Sequence, residues 1–391
     1  MQQDYSAFVS FLKQKMFPSS AALEIEEISE GNINHIYRAT DCKTGRSVIL
    51  KQAQEVSRIS PEIRLNPDRG RREAAYFEFY SALVPYALPE IYAFDETLHL
   101  IVMQDLKECP VLRKAMLAGT MSAHLGNHLG AFVAETAFAS SDFVLPHPEK
   151  KQMQTRFSNP ELCALTEKLV FSDPFLGDKD NSVSRENAAF LETRIYQNER
   201  LLAKAAALKF RFMNASQALI HGDLHFGSVF LKGELPVVFD PEFCFFGPIG
   251  FDLGNALAHF VMEYFFVKLS RPQDDAFLSW LKAMAHELVF SFSEAFTRLA
   301  EQQCKDAVLR SPGFVNTFVS SVLRDTAGFA GVECLRRTIG IAKIPEFDLL
   351  SAARRAQFER NVMDAGVLLM ERGSEIQSAT ALVDLIERLY I

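Results

Sequence analysis

The sequence lacks the cysteine spacing of a metal site or a disulfide framework. Its six cysteines are scattered along 391 residues, and no CxxC pair occurs. Without a secretory context, cysteines in this arrangement are typical of reduced thiols in a protein core. We therefore expect neither a structural zinc site nor disulfide bonds.

A secretion signal and long hydrophobic runs are also missing. The first five residues, MQQDY, have neither the basic start nor the apolar run of a signal peptide. The most apolar stretch, residues 256–269, contains three polar or charged side chains and is too short to span a bilayer. A net charge of −8 disfavours non-specific binding to nucleic acid or membranes. We expect a cytoplasmic protein with no nucleic-acid or membrane partner.

Neither of the two commonest phosphate-binding loops is present. The chain contains no GxxxxGK[ST] sequence and no GxGxxG sequence. This excludes the P-loop and the Rossmann dinucleotide-binding fingerprint. A nucleotide, if one is bound, must be held in another way.

The patterns that are present divide the chain near residue 105. Alternating apolar segments with intervening turns predict strands at 23–29, 35–40, 48–51, 91–94 and 99–103, with one helix over 68–83. Beyond residue 105, long helical patterns dominate and are interrupted by short strand-like runs at 218–220 and 236–239. We predict an α+β protein with a small antiparallel-sheet lobe over 1–105 and a larger, mainly helical lobe over 106–391.

The most informative motif is HGDLH at residues 221–225, which is followed 17 residues after Asp223 by Asp240 and Glu242. Each group comes just after a short apolar run. Phosphoryl transfer to an alcohol needs a carboxylate that accepts or orients the hydroxyl proton, and oxygen ligands for the Mg²⁺ that bridges the phosphates. Asp223 suits the first role, and Asp240 with Glu242 suits the second. Any one of these acids alone would be read as a loop residue or a helix cap.

The first nucleotide-binding candidate is the turn between the first two predicted strands. Its residues Gly31, Asn32 and Asn34 stand where backbone amides can cover phosphate groups. Most turns of this kind are only hairpin connections, so the turn is a weak signal alone.

Further nucleotide-binding candidates follow in the same lobe. Lys51 ends an apolar strand, and Glu73, near the start of the next helix, is its expected ion-pair partner. The last strand of the lobe runs into Gln104 and Leu106, whose backbone we expect to form a hinge that recognises adenine. Lys51 taken alone fits a solvated strand-end lysine equally well.

Together these segments resemble a known family. The HGDLH motif is similar to the catalytic loop of the aminoglycoside and choline kinase-like group, and the similarity to methylthioribose kinases extends over nearly the whole chain. The segments that carry it are GNIN (31–34), KQA (51–53), SDF (141–143), HGDLHFGS (221–228), DPEFCFFGPIGFDLG (240–254) and RRTIG (336–340). The DxE sequence in place of DFG, and Ser228 where the wider group usually has Asn, are particularly specific to methylthioribose kinases.

The resemblance implies a bilobal protein-kinase-like fold that transfers the ATP γ-phosphate to the anomeric hydroxyl of 5-methylthioribose, a step of methionine salvage. It implies Asp223 as the catalytic base, which also contacts the substrate. It further implies Asp240 and Glu242 as Mg²⁺ ligands and Lys51 as a phosphate contact.

The resemblance also implies a homodimer in which Arg336 and Arg337 contact the sugar. Asp252 would brace the catalytic loop. Two departures lie close to the expected cleft: residues 61–64 read PEIR where the family usually has ESWP, and Lys343 replaces a usual His. Both bear on the identity of the substrate.

Two other functions remain open from the sequence. One is a kinase of the same fold that acts on another sugar, an amino alcohol or an aminoglycoside. The other is an inactive nucleotide-binding scaffold. The arginine pair favours a neutral, hydroxyl-rich substrate over a cationic one, and a scaffold would have no need to keep the lysine and all three acids.

Overall fold

The structure is a computed structural model that describes residues 5–28, 34–55 and 64–390. The chain forms two compact units, residues 1–109 and 110–391. The predicted join at residue 105 lies inside the first of them. None of the helices in the described ranges is long and apolar enough to cross a membrane.

Among its described residues, the first unit contains an antiparallel sheet and two helices. Its described strands pair in the order β1-β2-β3-β5-β4. Every strand predicted before residue 105 is confirmed, as is the helix over 68–83, whereas the first helix was missed. The elements are α1 (Ser6–Lys15), β1 (Leu23–Ile28), β2 (His35–Asp41), β3 (Ser47–Gln52), α2 (Arg69–Tyr80), β4 (Ile91–Asp95) and β5 (Leu100–Gln104).

Strand β3 places a lysine on the face opposite the main core of this unit. Successive side chains of a strand point to opposite faces. Val48 and Leu50 are fully buried in the core that includes Phe11 and Leu12 of α1. Lys51 consequently points to the other face, where it meets a side chain of α2.

The second unit is mainly helical and contains two short β-ribbons, β6 with β9 and β7 with β8. Its strands are β6 (Ala218–Ile220), β7 (Val229–Lys232), β8 (Leu235–Val238) and β9 (Phe245–Gly247). Its helices are α3 (Leu112–Leu117), α4 (Leu125–Ala139), α5 (His147–Arg156), α6 (Pro160–Leu169), α7 (Asp173–Leu176), α8 (Ala188–Phe190), α9 (Glu199–Asn214), α10 (Ile249–Ser270), α11 (Asp275–Gln303), α12 (Pro312–Ile339), α13 (Ala352–Arg372) and α14 (Ala379–Leu389). The sequence predicted β6 and β8 but not β7 or β9.

Helices α10 and α12 approach each other closely at Gly254. A Cβ atom at this position would lie 2.9 Å from the Thr326 carbonyl oxygen and 2.9 Å from the Phe329 Cβ. Those distances are too short for any side chain, so glycine is required for the approach. The contact brings the buried polar side chains of α10 next to the C-terminal turns of α12.

Candidate active site

The HGDLH loop begins directly after β6 and has a tightly specified backbone. Gly222 has φ +83°, and a Cβ there would lie 2.3 Å from the Phe243 carbonyl oxygen, so glycine is required on both counts. The Asp252 carboxylate, in the first turn of α10, accepts hydrogen bonds from the backbone N–H groups of His221 (2.6 Å) and Gly222 (2.9 Å). The brace that the resemblance implied for Asp252 is therefore present.

Asp223 lies among three cationic or polar partners. Its Oδ1 is 3.1 Å from Arg336 Nη2 and 3.5 Å from Arg337 Nη2, and its Oδ2 is 3.3 Å from His225 Nε2. Burial by itself would raise the pKa of Asp223. The neighbouring histidine and arginines outweigh burial and hold the pKa well below the ordinary carboxyl range. Asp223 is therefore an ionised hydrogen-bond acceptor at neutral pH.

His225 positions this loop. Its Nδ1 accepts a hydrogen bond from the Gly227 N–H (2.8 Å), which assigns the ring proton to Nε2, the nitrogen that faces Asp223. Burial lowers the pKa of His225, so the ring is neutral at pH 7. The Ser228 hydroxyl accepts a hydrogen bond from the His225 N–H (2.9 Å) and lies 3.0 Å from the Asp223 carbonyl oxygen. His225 and Ser228 thus hold Asp223 in place.

Arg336 and Arg337 occupy the last turn of α12 and both reach Asp223. Neighbouring helical residues point about 100° apart, which predicts that one arginine contacts a ligand while the other supports it. The contact of either arginine with a ligand stays a prediction. In the structure both guanidinium groups point to the same carboxylate. Glu333 explains this, because its Oε2 lies 2.5 Å from Arg336 Nε and its Oε1 lies 2.8 Å from Arg337 Nε.

Glu333 is a site residue that the sequence reasoning missed. Its side chain is fully buried, and the two arginine charges hold its pKa well below the ordinary range even though burial opposes this. The available signal was its spacing, three and four residues before the arginine pair, which puts all three side chains on adjoining parts of one helix.

The acids after β8 occupy a constrained loop. Asp240 has φ +68°, a conformation that is uncommon for any residue other than glycine and that recurs at functional sites. Glu242 is buried, and its carbonyl oxygen accepts a hydrogen bond from Asn159 Nδ2 (2.9 Å). Phe239, at the start of the loop, is tied through its carbonyl oxygen to His221 Nε2 (2.9 Å). The two acids are thus anchored to the HGDLH loop.

The role of Asp240 and Glu242 as Mg²⁺ ligands stays a prediction. Within the described ranges, no group of three or more His, Cys, Asp or Glu side chains could hold a metal ion. Mg²⁺ typically takes one or two carboxylates and completes its coordination with substrate phosphates and water. Asp240 and Glu242 offer two side chains of this chemical type.

Lys51 and Glu73 form the ion pair predicted from the sequence. The Lys51 Nζ lies 2.7 Å from both carboxylate oxygens of Glu73, and both side chains are buried. Burying two charges is favourable only with close pairing of this kind. The contact of Lys51 with nucleotide phosphates stays a prediction.

The predicted nucleotide turn is only partly covered by the structure. Gly31 and Asn32 lie outside the described residues. Asn34 is buried, and its Oδ1 accepts hydrogen bonds from Arg69 Nε (3.1 Å) and Nη2 (2.8 Å). The Asn34 side chain therefore fixes the start of α2, and a nucleotide contact through its backbone stays a prediction.

The predicted adenine hinge follows β5. Gln104 is the last residue of β5, and it exchanges hydrogen bonds with the backbone of Glu90 through its own N–H (2.8 Å) and its Oε1 (3.3 Å). Asp105 accepts hydrogen bonds from Arg38 Nε (2.8 Å) and from the Ser47 hydroxyl (2.7 Å). Leu106 is buried. These bonds fix the segment, and its contact with adenine stays a prediction.

Lys343, the second departure from the family pattern, bonds a backbone carbonyl group in the last turn of α12. Its Nζ donates to the carbonyl oxygens of Thr338 and Ser182, the latter at 2.6 Å. Burial lowers the pKa of Lys343 to about 8. Arg337 Nη1 bonds the Ala342 carbonyl oxygen (3.3 Å) in the same loop. Lys343 therefore bonds backbone next to the arginine pair. The first departure, at Ile63, lies outside the described residues.

Comparison with known proteins defines the class first. Residues 24–287, more than half of the chain, match the phosphotransferase enzyme family. The crystal structure of choline kinase from Cryptosporidium parvum Iowa II superposes with a TM-score of 0.53 at 12% identity, covering 99% of this chain and 100% of that one. That likeness shows a shared kinase-like fold.

The relatives then identify the particular family. The chain is 33% identical over 385 residues to a methylthioribose kinase of Bacillus pumilus, covering 98% of this chain and 96% of that protein. It is 35% identical to one from Geobacillus kaustophilus, covering 85% and 83%, and 32% identical to one from Citrobacter koseri, covering 93% and 92%. The chain belongs to the methylthioribose kinase family.

Proposed function

We propose that the protein transfers the γ-phosphate of ATP to the anomeric hydroxyl of 5-methylthioribose and forms 5-methylthioribose 1-phosphate in methionine salvage. The observation that carries the proposal is the ionised Asp223 carboxylate held by Arg336 and Arg337 at the end of β6. Two guanidinium groups offer fixed donors for ring hydroxyls and for the phosphate that is formed. Family membership makes methylthioribose the substrate to test first.

Asp223 acts mainly by orientation in this mechanism. A carboxylate with a depressed pKa is a weak base, but it accepts a hydrogen bond well and can align the attacking hydroxyl. Phosphoryl transfer proceeds through a loose transition state in which little nucleophile deprotonation is needed early. His225 and Ser228 keep the carboxylate in position through the contacts described above.

We assign the nucleotide and metal roles to the remaining side chains of the motifs. Lys51, aligned by Glu73, would contact the phosphates, and the backbone of the 31–34 turn would cover them. The backbone from Gln104 to Leu106 would recognise adenine. Asp240 and Glu242 would hold Mg²⁺, which supplies neutralisation of phosphate charge when bound. Residues 1–105 then form the nucleotide-binding lobe, and residues 106–391 form the catalytic and substrate-binding lobe.

We also propose that the protein is a cytoplasmic homodimer, as the family resemblance implies. Light scattering on the purified protein would give twice the monomer mass for a dimer, and the monomer mass would overturn the assignment.

The function is tested by ADP release from Mg-ATP with methylthioribose, ribose, choline or an aminoglycoside as acceptor. We expect methylthioribose to give the highest kcat/KM. A higher value for one of the other acceptors would assign the chain to a different substrate within the same fold. No acceptor-dependent ADP release in folded protein would support a non-catalytic role.

Replacing the arginines should separate sugar binding from nucleotide binding. Arg336→Ala and Arg337→Ala are expected to raise KM for the sugar roughly 10- to 100-fold, because each removes charge-assisted hydrogen bonds. Arg336 is nearer to Asp223, so its replacement should have the larger effect. KM for ATP should change little.

Steady-state kinetics with either substrate varied would measure these effects. Arg211→Ala is a matched control. Arg211 lies on α9, and its Nε pairs with Asp325 (2.9 Å) of α12, the helix that carries Arg336 and Arg337, but Arg211 does not contact Asp223. The sugar assignment fails if both arginine variants weaken only ATP, or if they behave like the control.

A further inference from the structure

Glu333 balances the electric charge of the arginine pair. Each guanidinium uses its Nε for Glu333 and its Nη2 for Asp223. Two positive and two negative charges therefore meet at the C-terminal turns of α12. Asp223 is half-buried, whereas Glu333 is fully buried, so Glu333 reaches any ligand only through its effect on the arginines.

The residues behind Glu333 add no net charge to this cluster. His259 Nε2, from α10, lies 3.4 Å from Glu333, and burial lowers the pKa of His259 well below its ordinary value. On the other side of the ring, Arg113 is paired with Glu346 (2.8 Å). Burial and the nearby Glu346 raise the pKa of Glu263 to about 8, so Glu263 is mainly neutral at pH 7. Glu333 is therefore the charge on the protein side that offsets the second arginine.

We propose that Glu333 is a specificity-determining residue that keeps the sugar site electrically neutral, so that the site binds an uncharged sugar and releases the phosphorylated one. The inference rests on the proposed role of Arg336 and Arg337 in contacting the sugar. With Glu333 ionised, the arginines offer hydrogen-bond donors without an excess positive charge. Without it, the same donors would form an anion site, for which a phosphate ester is the better ligand.

A structural role for Glu333 makes a different prediction. If Glu333 only holds the end of α12 together, its loss would loosen both arginines and weaken every ligand. If it sets the charge, its loss would weaken the neutral sugar and strengthen the anion. The two roles therefore differ in the sign of the change in anion affinity.

The test replaces Glu333 with glutamine, which keeps the size of the side chain and removes its charge. We expect Glu333→Gln to raise KM for methylthioribose and to lower the inhibition constants of methylthioribose 1-phosphate and inorganic phosphate about tenfold, since a charge this close acts through little intervening solvent. Asp325→Asn is the matched control, because it neutralises another arginine-paired acid of α12. It should change none of these three constants.

A second variant restores the balance. Glu333→Gln combined with Arg337→Gln removes one charge of each sign, and replacing a buried ion pair by neutral groups is often tolerated. Phosphate should bind more weakly to Arg337→Gln alone than to the wild type, and adding Glu333→Gln should strengthen it again. This comparison remains decisive if the Glu333→Gln single variant does not fold.

Calorimetric titration with inorganic phosphate reports the charge effect without turnover. Glu333→Gln is compared with the wild type, and the double variant is compared with Arg337→Gln alone. The inference is overturned if phosphate binds no more tightly after the loss of Glu333 in both comparisons. Failure of the wild type to phosphorylate methylthioribose would instead overturn the proposed function. The phosphate titration would still report on the charge of the arginine pair.

Discussion

The Asp223→Asn variant is expected to fold and to bind Mg-ATP nearly as the wild type does, but to turn over roughly 10²–10⁴-fold more slowly. Asparagine keeps the shape of the side chain and loses the negative charge. Its amide cannot serve as an anionic acceptor for the sugar hydroxyl, and it would leave Arg336 and Arg337 facing each other with less compensation. The loss should therefore appear in kcat and not in nucleotide affinity.

Single-turnover kinetics and titration with Mg-ATP would measure the two quantities separately. Asp325→Asn, which lies on α12 and pairs with Arg211, should leave both unchanged. Near-wild-type turnover in folded Asp223→Asn protein would show that another group orients the hydroxyl.

The pH profile of the wild type gives a second check on Asp223. Its pKa is held below the ordinary carboxyl value of about 4. The ionised form therefore persists as pH falls from neutrality and is lost only below that value. Any decline in kcat/KM between about pH 7 and 5 would therefore report the titration of another group. The same decline should appear in the residual activity of Asp223→Asn.

The sequence predicted the first unit well because its signals are local. Turns separate short alternating segments, and the alternation that buries Val48 and Leu50 also decides where Lys51 points. The missed helix α1 had a usable signal, since Phe8, Phe11 and Leu12 follow helical spacing. The strands β7 and β9 were missed because segments of four and three residues carry little periodicity. The equally short β6 and β8 were found because each is an apolar run that leads into an acidic motif.

The catalytic motifs could be predicted, but the charges around them could not. HGDLH and DPE are contiguous, so their chemistry can be inferred from adjacent residues. The link from Glu333 to His259 depends on the close packing of α12 against α10 at Gly254. Adjacent helical residues point about 100° apart, and one buried acid nevertheless holds both arginine side chains near Asp223. Long side chains with a shared partner override the angular spacing of the helix.

Removing either acid of the DxE segment is expected to abolish most Mg²⁺-dependent activity. Asp240→Asn and Glu242→Gln each remove a charged oxygen ligand from a cation that prefers carboxylates and phosphates. Metal ions contribute several kcal/mol to charge stabilisation in such transition states, so turnover should fall roughly 10²–10⁴-fold. Asparagine is chosen at 240 because Asn, like Asp, tolerates the left-handed backbone found there, whereas alanine would add strain.

Titrations with ATP in the presence and absence of Mg²⁺ distinguish metal binding from a loss of structure. Both variants should bind Mg-ATP much more weakly than the wild type, while metal-free ATP binds all three proteins alike. Because Glu242 is buried and its loop is held by Asn159, the melting temperature must be measured alongside. Unchanged Mg-ATP affinity and turnover in both variants would assign these acids to the structure of the loop alone. A loss confined to Glu242→Gln would leave Asp240 without a role at the metal and make Glu242 the principal ligand.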